Sequence, residues 1–365
     1  MIECKSTGLV YRNPKPFLRA VHAWHPSLVV LESGELVASF DLGEAVESAD
    51  YTTYIARSSD GGITWSEPAR FFDDPQAPGV THGVRISRVR SGEIVGYGCR
   101  SYHDPEEGIL NHANLGHSPM DLIGLRSSDD GHTWTALETI TPPLDGPAFE
   151  ICHSVVELQD GRWLWPMSNW TDWNGEAPNG VRALALVSHD KGASWPEHVE
   201  IFDGWNRGVL HWEQSVTQLS DGRLLAVAWA YNTKTRKTEP TPYAISTDGH
   251  TFSPPRPTSL QGQTAKLLPS PDGRILCVYR RDDQPGLWAN LSELDGDDWV
   301  NLEESLVWGG APSGMVGEGE SANELSGLKF GYPQPHLLPD GDVMIVFWCC
   351  EDCIHNIRWV RLSLK

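Results

Sequence analysis

One element recurs six times along the chain: a short apolar run, a turn containing glycine, then a second apolar run. It reads SLVVLESGELVASF at 27–40, VRISRVRSGEIVGY at 84–97, SVVELQDGRWLWPM at 154–167 and SVTQLSDGRLLAVAW at 215–229, and returns as AKLLPSPDGRILCVY at 265–279 and PHLLPDGDVMIVFW at 335–348. Asp-Gly and Ser-Gly between alternating apolar runs mark β-hairpins, because the turn needs a backbone angle that glycine adopts without strain. The turn glycines are Gly34, Gly92, Gly161, Gly222, Gly273 and Gly341. A supersecondary unit copied at regular intervals is the signature of a repeat architecture. Six hairpins therefore predict six similar sheets.

A second element lies between the hairpins. It reads SSDGGITW at 58–65, SSDDGHTW at 127–134 and SHDKGASW at 188–195, with a shorter form, STDGHTF, at 246–252 and a worn form, ELDGDDW, at 293–299. The Asp carboxylate and the Ser and Thr hydroxyls can exchange hydrogen bonds within one tight turn, glycine supplies the unusual backbone angle, and Trp is left to plug between neighbouring sheets. These aspartates are read as structural.

This second element resembles the Asp-box, or BNR, repeat of the sialidase superfamily, and the resemblance covers nearly the whole chain. It implies an all-β, six-bladed β-propeller with four-stranded antiparallel blades. The segment at about 4–12 is expected to complete the last blade beside IHNIRWVRL at 354–362. No linker-like stretch interrupts the pattern, so residues 1–365 are read as a single propeller domain. The longest inserts, 98–121 and 170–181, are expected to form loops over one face.

In a propeller the first strand of each blade lines the central channel, and the turn glycine gives a ruler along it. Nine residues before each glycine stand His25, Gly83, Cys152, Glu213, Thr264 and Tyr332, flanked by Trp24, His82, His153, Trp212, Gln214 and Pro333. Polar, titratable residues at the start of otherwise apolar strands mark a site. His25, His82 and His153 are expected to line the pocket, with Arg85 and Gln334 close by.

Sialidases pair a Tyr nucleophile with a Glu that takes its proton and use an Asp as acid/base. Tyr332 in GYPQPHLLPDG falls on the Tyr position and Glu213 in EQSVTQLSDGR on the Glu position; Asp50 is the nearest match to the Asp, with Asp41, Glu44 and Glu47 in the same loop. The superfamily also clamps the sialic-acid carboxylate with three Arg, as a bidentate guanidinium fork would. Here Trp24 and Trp229 stand at two of those positions, and Arg280 or Arg281 is a poor match to the third. The resemblance thus implies a carbohydrate-active enzyme: an exo-acting glycoside hydrolase on a sugar other than ordinary sialosides. Tyr332, Glu213 and Asp50, with His25 and His153, would be its catalytic groups. Trp24, His82, Arg85, Trp229, Arg281 and Gln334 would bind substrate. Two alternatives stand beside it. One is a lyase in which His and Tyr eliminate across a uronic acid; the other is a propeller that only binds a glycan.

Composition narrows the partners. Lys and Arg number 28 against 49 Asp and Glu, for a formal net charge of −21, which argues against nucleic acid and anionic membranes, since both need a cationic surface. Sixteen Trp exceed what one core needs, and indole faces stack well on sugar rings. The seven Cys, Cys4, Cys99, Cys152, Cys277, Cys349, Cys350 and Cys353, are an odd number and are read as mostly free thiols in a reducing cytoplasm. The start of the chain lacks the apolar stretch of a secretory signal, although an exported protein that has lost its signal is the alternative. No cofactor is expected. No close-spaced His or Cys set suggests a metal, and CCEDC at 349–353 is read as a strand end.

Overall fold

The structure, a computed structural model, describes residues 1–45, 48–77, 79–104, 106–281, 283–309 and 329–365. Each of the six sequence hairpins forms the two innermost strands of one antiparallel sheet. Blade I is His22–Val30, Leu36–Gly43 and Thr52–Ser58, and blade II is Val80–Arg88, Ile94–Tyr102, Met120–Ser127 and Glu138–Ile140. Blade III begins with a broken strand, Ala148–Glu150 and Val156–Glu157, and continues through Trp163–Trp170, Ala183–Ser188 and Glu197–Phe202. Blade IV runs Val209–Gln218, Leu224–Asn232, Pro242–Ser246, Arg256–Pro257, and blade V Gln263–Pro269, Ile275–Arg281, Gly286–Asp295, Asp298–Trp308. Blade VI takes Phe330–Leu337, Val343–Glu351 and Ile354–Leu364 from the end of the chain and Ile2–Tyr11 from its start. The blades are mostly four-stranded, as expected; in blade I the outer strand is reduced to one bridge between Ile55 and Ala69.

The six turn glycines sit at φ between 84° and 92°, the left-handed region in which a Cβ is penalised. Apolar side chains then fill the seams between blades. Leu28, Leu36 and Phe40 of blade I pack with Met344, Val346 and Trp348 of blade VI. Leu276 and Leu291 of blade V meet Ile345 and Phe347 of blade VI, and Leu164 and Leu186 belong to the seams that join blade III to its two neighbours. The ring is closed by main-chain pairing within blade VI, where Ile2 stands opposite Leu364 and Tyr11 opposite Ile357.

The Asp boxes are closed local networks. In the first, Ser58 Oγ donates to Asp60 and accepts from Gly62 N, the Thr64 amide and hydroxyl donate to Asp60, and Trp65 Nε1 donates to the Gly62 carbonyl. The same bonds to Asp recur at 127–133 and 188–194. These hydrogen bonds hold the Asp60 and Asp190 carboxyls down at about 2. The Trp crosses the seam: Trp195 of blade III stacks edge-on against Tyr97 of blade II with ring centroids 5.4 Å apart.

Trp195→Ala is expected to cost roughly 3–5 kcal/mol, the usual range for removing a buried indole, because Trp195 is buried in the seam between blades II and III. Chemical denaturation checks this; a loss under 1 kcal/mol would mean that the Trp does not wedge the blades.

Candidate functional site

The ruler residues are held by a backbone irregularity. On the inner strands of blades I, IV, V and VI the pairing register slips between Trp24 and Ser27, Trp212 and Ser215, Gln263 and Lys266, and Gly331 and Gln334. Within each slip one non-glycine residue takes positive φ: His25 at 44°, Glu213 at 48°, Thr264 at 53° and Tyr332 at 55°. Such bulges re-aim a side chain, and left-handed backbone costs roughly 1–2 kcal/mol per non-glycine residue. Four at one level of one ring fit the tendency of strained backbone to gather at functional sites.

The bulges open on a cavity of about 310 Å³. His25, Glu213 and Tyr332 line it together with Arg85, Glu150 and Cys152. Its walls are indoles: Trp24, Trp170, Trp212, Trp229 and Trp348. One side is closed by the two inserts, which dock on each other as a single wall. The Leu110–Asn111 and Gly116–His117 hairpin receives a hydrogen bond from Trp170 Nε1 at the Leu115 carbonyl (2.7 Å), and Asn111 Nδ2 donates to the Trp173 carbonyl (2.9 Å). A Cβ on Gly116 would lie 2.1 Å from the Asp172 carbonyl oxygen, so only glycine permits this approach.

Behind the cavity runs a chain of polar groups. His25 Nδ1 lies 2.7 Å from Tyr51 Oη, and Tyr51 Oη donates to Asp41 Oδ2 at 2.6 Å. Arg85 Nη1 donates to the same Asp41 oxygen at 2.9 Å, and Arg85 Nε to Tyr332 Oη at 3.0 Å. Burial alone would raise the Asp41 carboxyl, but Arg85, His25 and Thr53 hold it below the usual range. With Tyr51 donating to that carboxylate, Tyr51 Oη is left to accept from Nδ1–H. A neutral His25 then carries its lone pair on Nε2. Burial, aided by Arg85, lowers the His25 pKa and favours this neutral form. The His25 side chain keeps 31% exposure.

On the other side stands a carboxyl pair. The Glu213 amide donates to Glu150 Oε2 at 2.9 Å, and Cys152 Sγ lies 3.9 Å from Glu213 Oε1. Glu150 Oε1 and Glu213 Oε2 are buried without a hydrogen-bond partner among the described residues. Burial, helped by Glu150, pushes the Glu213 pKa up to about 7, against the pull of Arg280 and Lys266; burial also raises Glu150. Lys266 lies fully buried behind the pair, donating to the Gln214 carbonyl at 2.8 Å and sitting 5.6 Å from the centre of the Tyr332 ring.

Six of the sequence-derived candidates meet at this cavity: Trp24, His25, Arg85, Glu213, Trp229 and Tyr332. Five do not line it. Asp50 sits in the loop after the second strand of blade I, where it accepts from Ser48 Oγ and the Glu44 amide; its loop neighbour Glu47 lies outside the described residues. His82 lies on a strand whose register is unbroken, so alternation puts Thr81 and Gly83 on the cavity and turns His82 away to Asp74 at 2.8 Å. His153 is one residue past Cys152 and bonds the Ser154 carbonyl and Ser215. Arg281 faces outward to Asp283 and Glu304, while its neighbour Arg280 lines the cavity. Gln334 follows the blade VI bulge and is paired opposite Val346.

Tyr51, Glu150 and Lys266 were not singled out by the sequence. Glu150 opens the EICHS segment and Lys266 interrupts an apolar strand, and a charge inside an apolar inner strand is the signal that would have found the lysine.

The chain belongs to the BNR repeat-like domain family, whose profile matches residues 108–345. With its six blades it is a BNR propeller of the sialidase superfamily. A sialidase of Micromonospora viridifaciens is 28% identical over 256 residues, 63% of this chain and 35% of that protein, so the match spans about a third of the relative's length. Among solved structures, a Dyadobacter fermentans protein of unknown function superposes with a TM-score of 0.73 at 20% identity, over 100% of this chain and 99% of that one. A Streptococcus pneumoniae sialidase gives 0.67 at 13%, over 97% and 70%. The intramolecular trans-sialidase of Ruminococcus gnavus gives 0.65 at 13%, over 97% of each chain. At these identities the superpositions speak for the fold.

The raised Glu213 pKa has a consequence for stability. The native state keeps this proton to a higher pH than the unfolded chain, so the contribution is full below about 4.5 and is lost as pH rises through about 7. Glu213→Gln is therefore expected to raise the melting temperature relative to wild type by more at pH 8 than at pH 5. A difference independent of pH would contradict the assigned shift.

Proposed function

We propose that this protein is an exo-acting glycoside hydrolase in which Tyr332 is the nucleophile, His25 its base and Glu213 the acid. The observation that carries this reading is the opposite tuning of two groups that line one cavity: His25 is held neutral and Glu213 is held protonated to about pH 7. Environments that push two titratable groups apart assign base and acid. The sequence-based reading had given Glu213 the base role; its raised pKa suits it better to donate.

The steps balance. His25 Nε2 takes the phenolic proton of Tyr332, and Arg85 stabilises the phenolate. The phenolate oxygen bonds to the anomeric carbon as the glycosidic C–O bond breaks, and the leaving oxygen takes the Glu213 proton. Water then gives a proton to the Glu213 carboxylate and attacks the anomeric carbon as the bond from that carbon to the Tyr332 oxygen breaks, and the released phenolate recovers its proton from His25. A pocket closed on one side by the docked inserts suits the end of a glycan chain rather than its middle. Asp50 has no part in this scheme. A second reading, elimination across a uronic acid, draws on the contact of Arg85 with Tyr332 and the edge-on approach of His25 to the Tyr332 ring at 5.3 Å.

The test is a product assay on a panel of aryl glycosides and oligosaccharides, with reducing ends and unsaturated-uronate absorbance read together. Hydrolysis gives new reducing ends without that absorbance. Tyr332→Phe, His25→Ala and Glu213→Gln are each expected to lower kcat/KM by about 10²–10⁴, and Asp50→Asn to leave it within about threefold. The kcat/KM profile should fall on the acid side below 6.5 as His25 protonates and on the alkaline side near 7 as Glu213 ionises. Products that absorb as unsaturated uronates, or an alkaline limb unchanged in Glu213→Gln, would overturn the assignment.

A further inference from the structure

We infer that the cavity takes an uncharged saccharide and rejects the same sugar carrying a carboxylate. This rests on the site described under the proposed function and names its substrate class. The argument begins with charge. Among the described residues, three cations, Arg85, Arg280 and Lys266, and three acids, Asp41, Glu150 and Glu213, stand around the cavity and just behind it. Formally they cancel, three against three, before any ligand enters.

Each cation is also already committed. Arg85 is paired with Asp41 and bonded to Tyr332. Arg280 donates from Nε to Gln263 Oε1 at 2.8 Å and from Nη1 to the Phe330 carbonyl at 3.2 Å, and its guanidinium lies 5.3 Å over the Trp229 ring. Lys266 donates to the backbone carbonyls of Glu213 and Gln214. A carboxylate entering this space would shed its water without gaining a dedicated guanidinium fork, and an unpaired buried charge is costly. It would also approach the carboxyls of Glu150 and Glu213. With Glu213 carrying its proton, Arg280 stays bonded to Gln263 and Phe330.

The walls favour the opposite kind of ligand. Five indoles border the cavity, and Ile109, Leu110 and Leu115 add an apolar edge from the docked insert. Indole faces bind the C–H face of a neutral sugar ring by area burial and π contact, with no need of charge. Among the polar groups that line the cavity, the Glu213, Tyr332 and His25 side chains suit hydroxyl groups.

Matched pairs of methyl glycosides test the inference: glucoside with glucuronide, galactoside with galacturonide, mannoside with mannuronide. Binding is measured by calorimetry to Tyr332→Phe, which cannot turn them over, and in parallel to Glu213→Gln in case the first variant folds poorly. At least one neutral member should bind tenfold or more tighter than its acid, about 1.4 kcal/mol, with little change as salt is raised. An acid that binds as well as its neutral partner would overturn the inference, and so would failure of every neutral member to bind. Wild-type protein and the aryl glycoside of the tightest sugar then separate the two claims. Binding of the neutral sugar without turnover contradicts the hydrolase and leaves the substrate class standing. Release of a uronic acid contradicts the substrate class and leaves the hydrolase standing.

Discussion

The left-handed bulge at the mouth of four inner strands is the constraint on which the site depends. A regular strand would send alternate side chains to opposite faces, and at most one residue near each strand start could reach the channel. The slips at His25, Glu213, Thr264 and Tyr332 place an extra residue at one level of the ring. In blades I, IV and VI that residue reaches the cavity. Holding four non-glycine residues there costs on the order of 4–8 kcal/mol in sum. The apolar seams and the blade VI closure offset that strain, and the Asp boxes pin the outer turns where nothing catalytic is needed.

The proton chemistry follows from the same geometry. His25 backs onto Tyr51, Asp41 and Arg85, and Arg85 reaches across to Tyr332. The network therefore joins blades I, II and VI and leaves His25 uncharged. The Glu213 side chain, from blade IV, lies beside Glu150 and Cys152 and is buried, with Oε2 lacking a hydrogen-bond partner among the described residues. Burial therefore dominates its pKa. Buried Lys266 holds the bulged Glu213 segment by its carbonyls while facing the Tyr332 ring.

The architecture was legible because it is periodic. Six hairpin glycines and the Asp boxes each repeat with a fixed internal spacing, and the pairing of the first strand with the last followed from the shape of the repeat. The ruler found His25, Glu213 and Tyr332 because one level of the ring is one distance from each turn. It failed at the next residue along. Whether His82 or Gly83, His153 or Cys152 faces the channel depends on the presence or absence of a bulge, and nothing in the local composition announces one. Asp50 was chosen by its place ahead of an Asp box, yet the buried Asp41 in the preceding strand holds the network. Tyr51 and Glu150 gained their roles only through neighbours brought in from elsewhere in the ring.

The central claim is that Tyr332 carries the reacting oxygen. Incubation with activated fluoroglycosides of neutral sugars, followed by proteolysis and peptide mass spectrometry, tests it directly. A glycosyl adduct on the peptide containing Tyr332, absent in Tyr332→Phe, is the predicted result. Turnover accompanied by an adduct on another residue would contradict it.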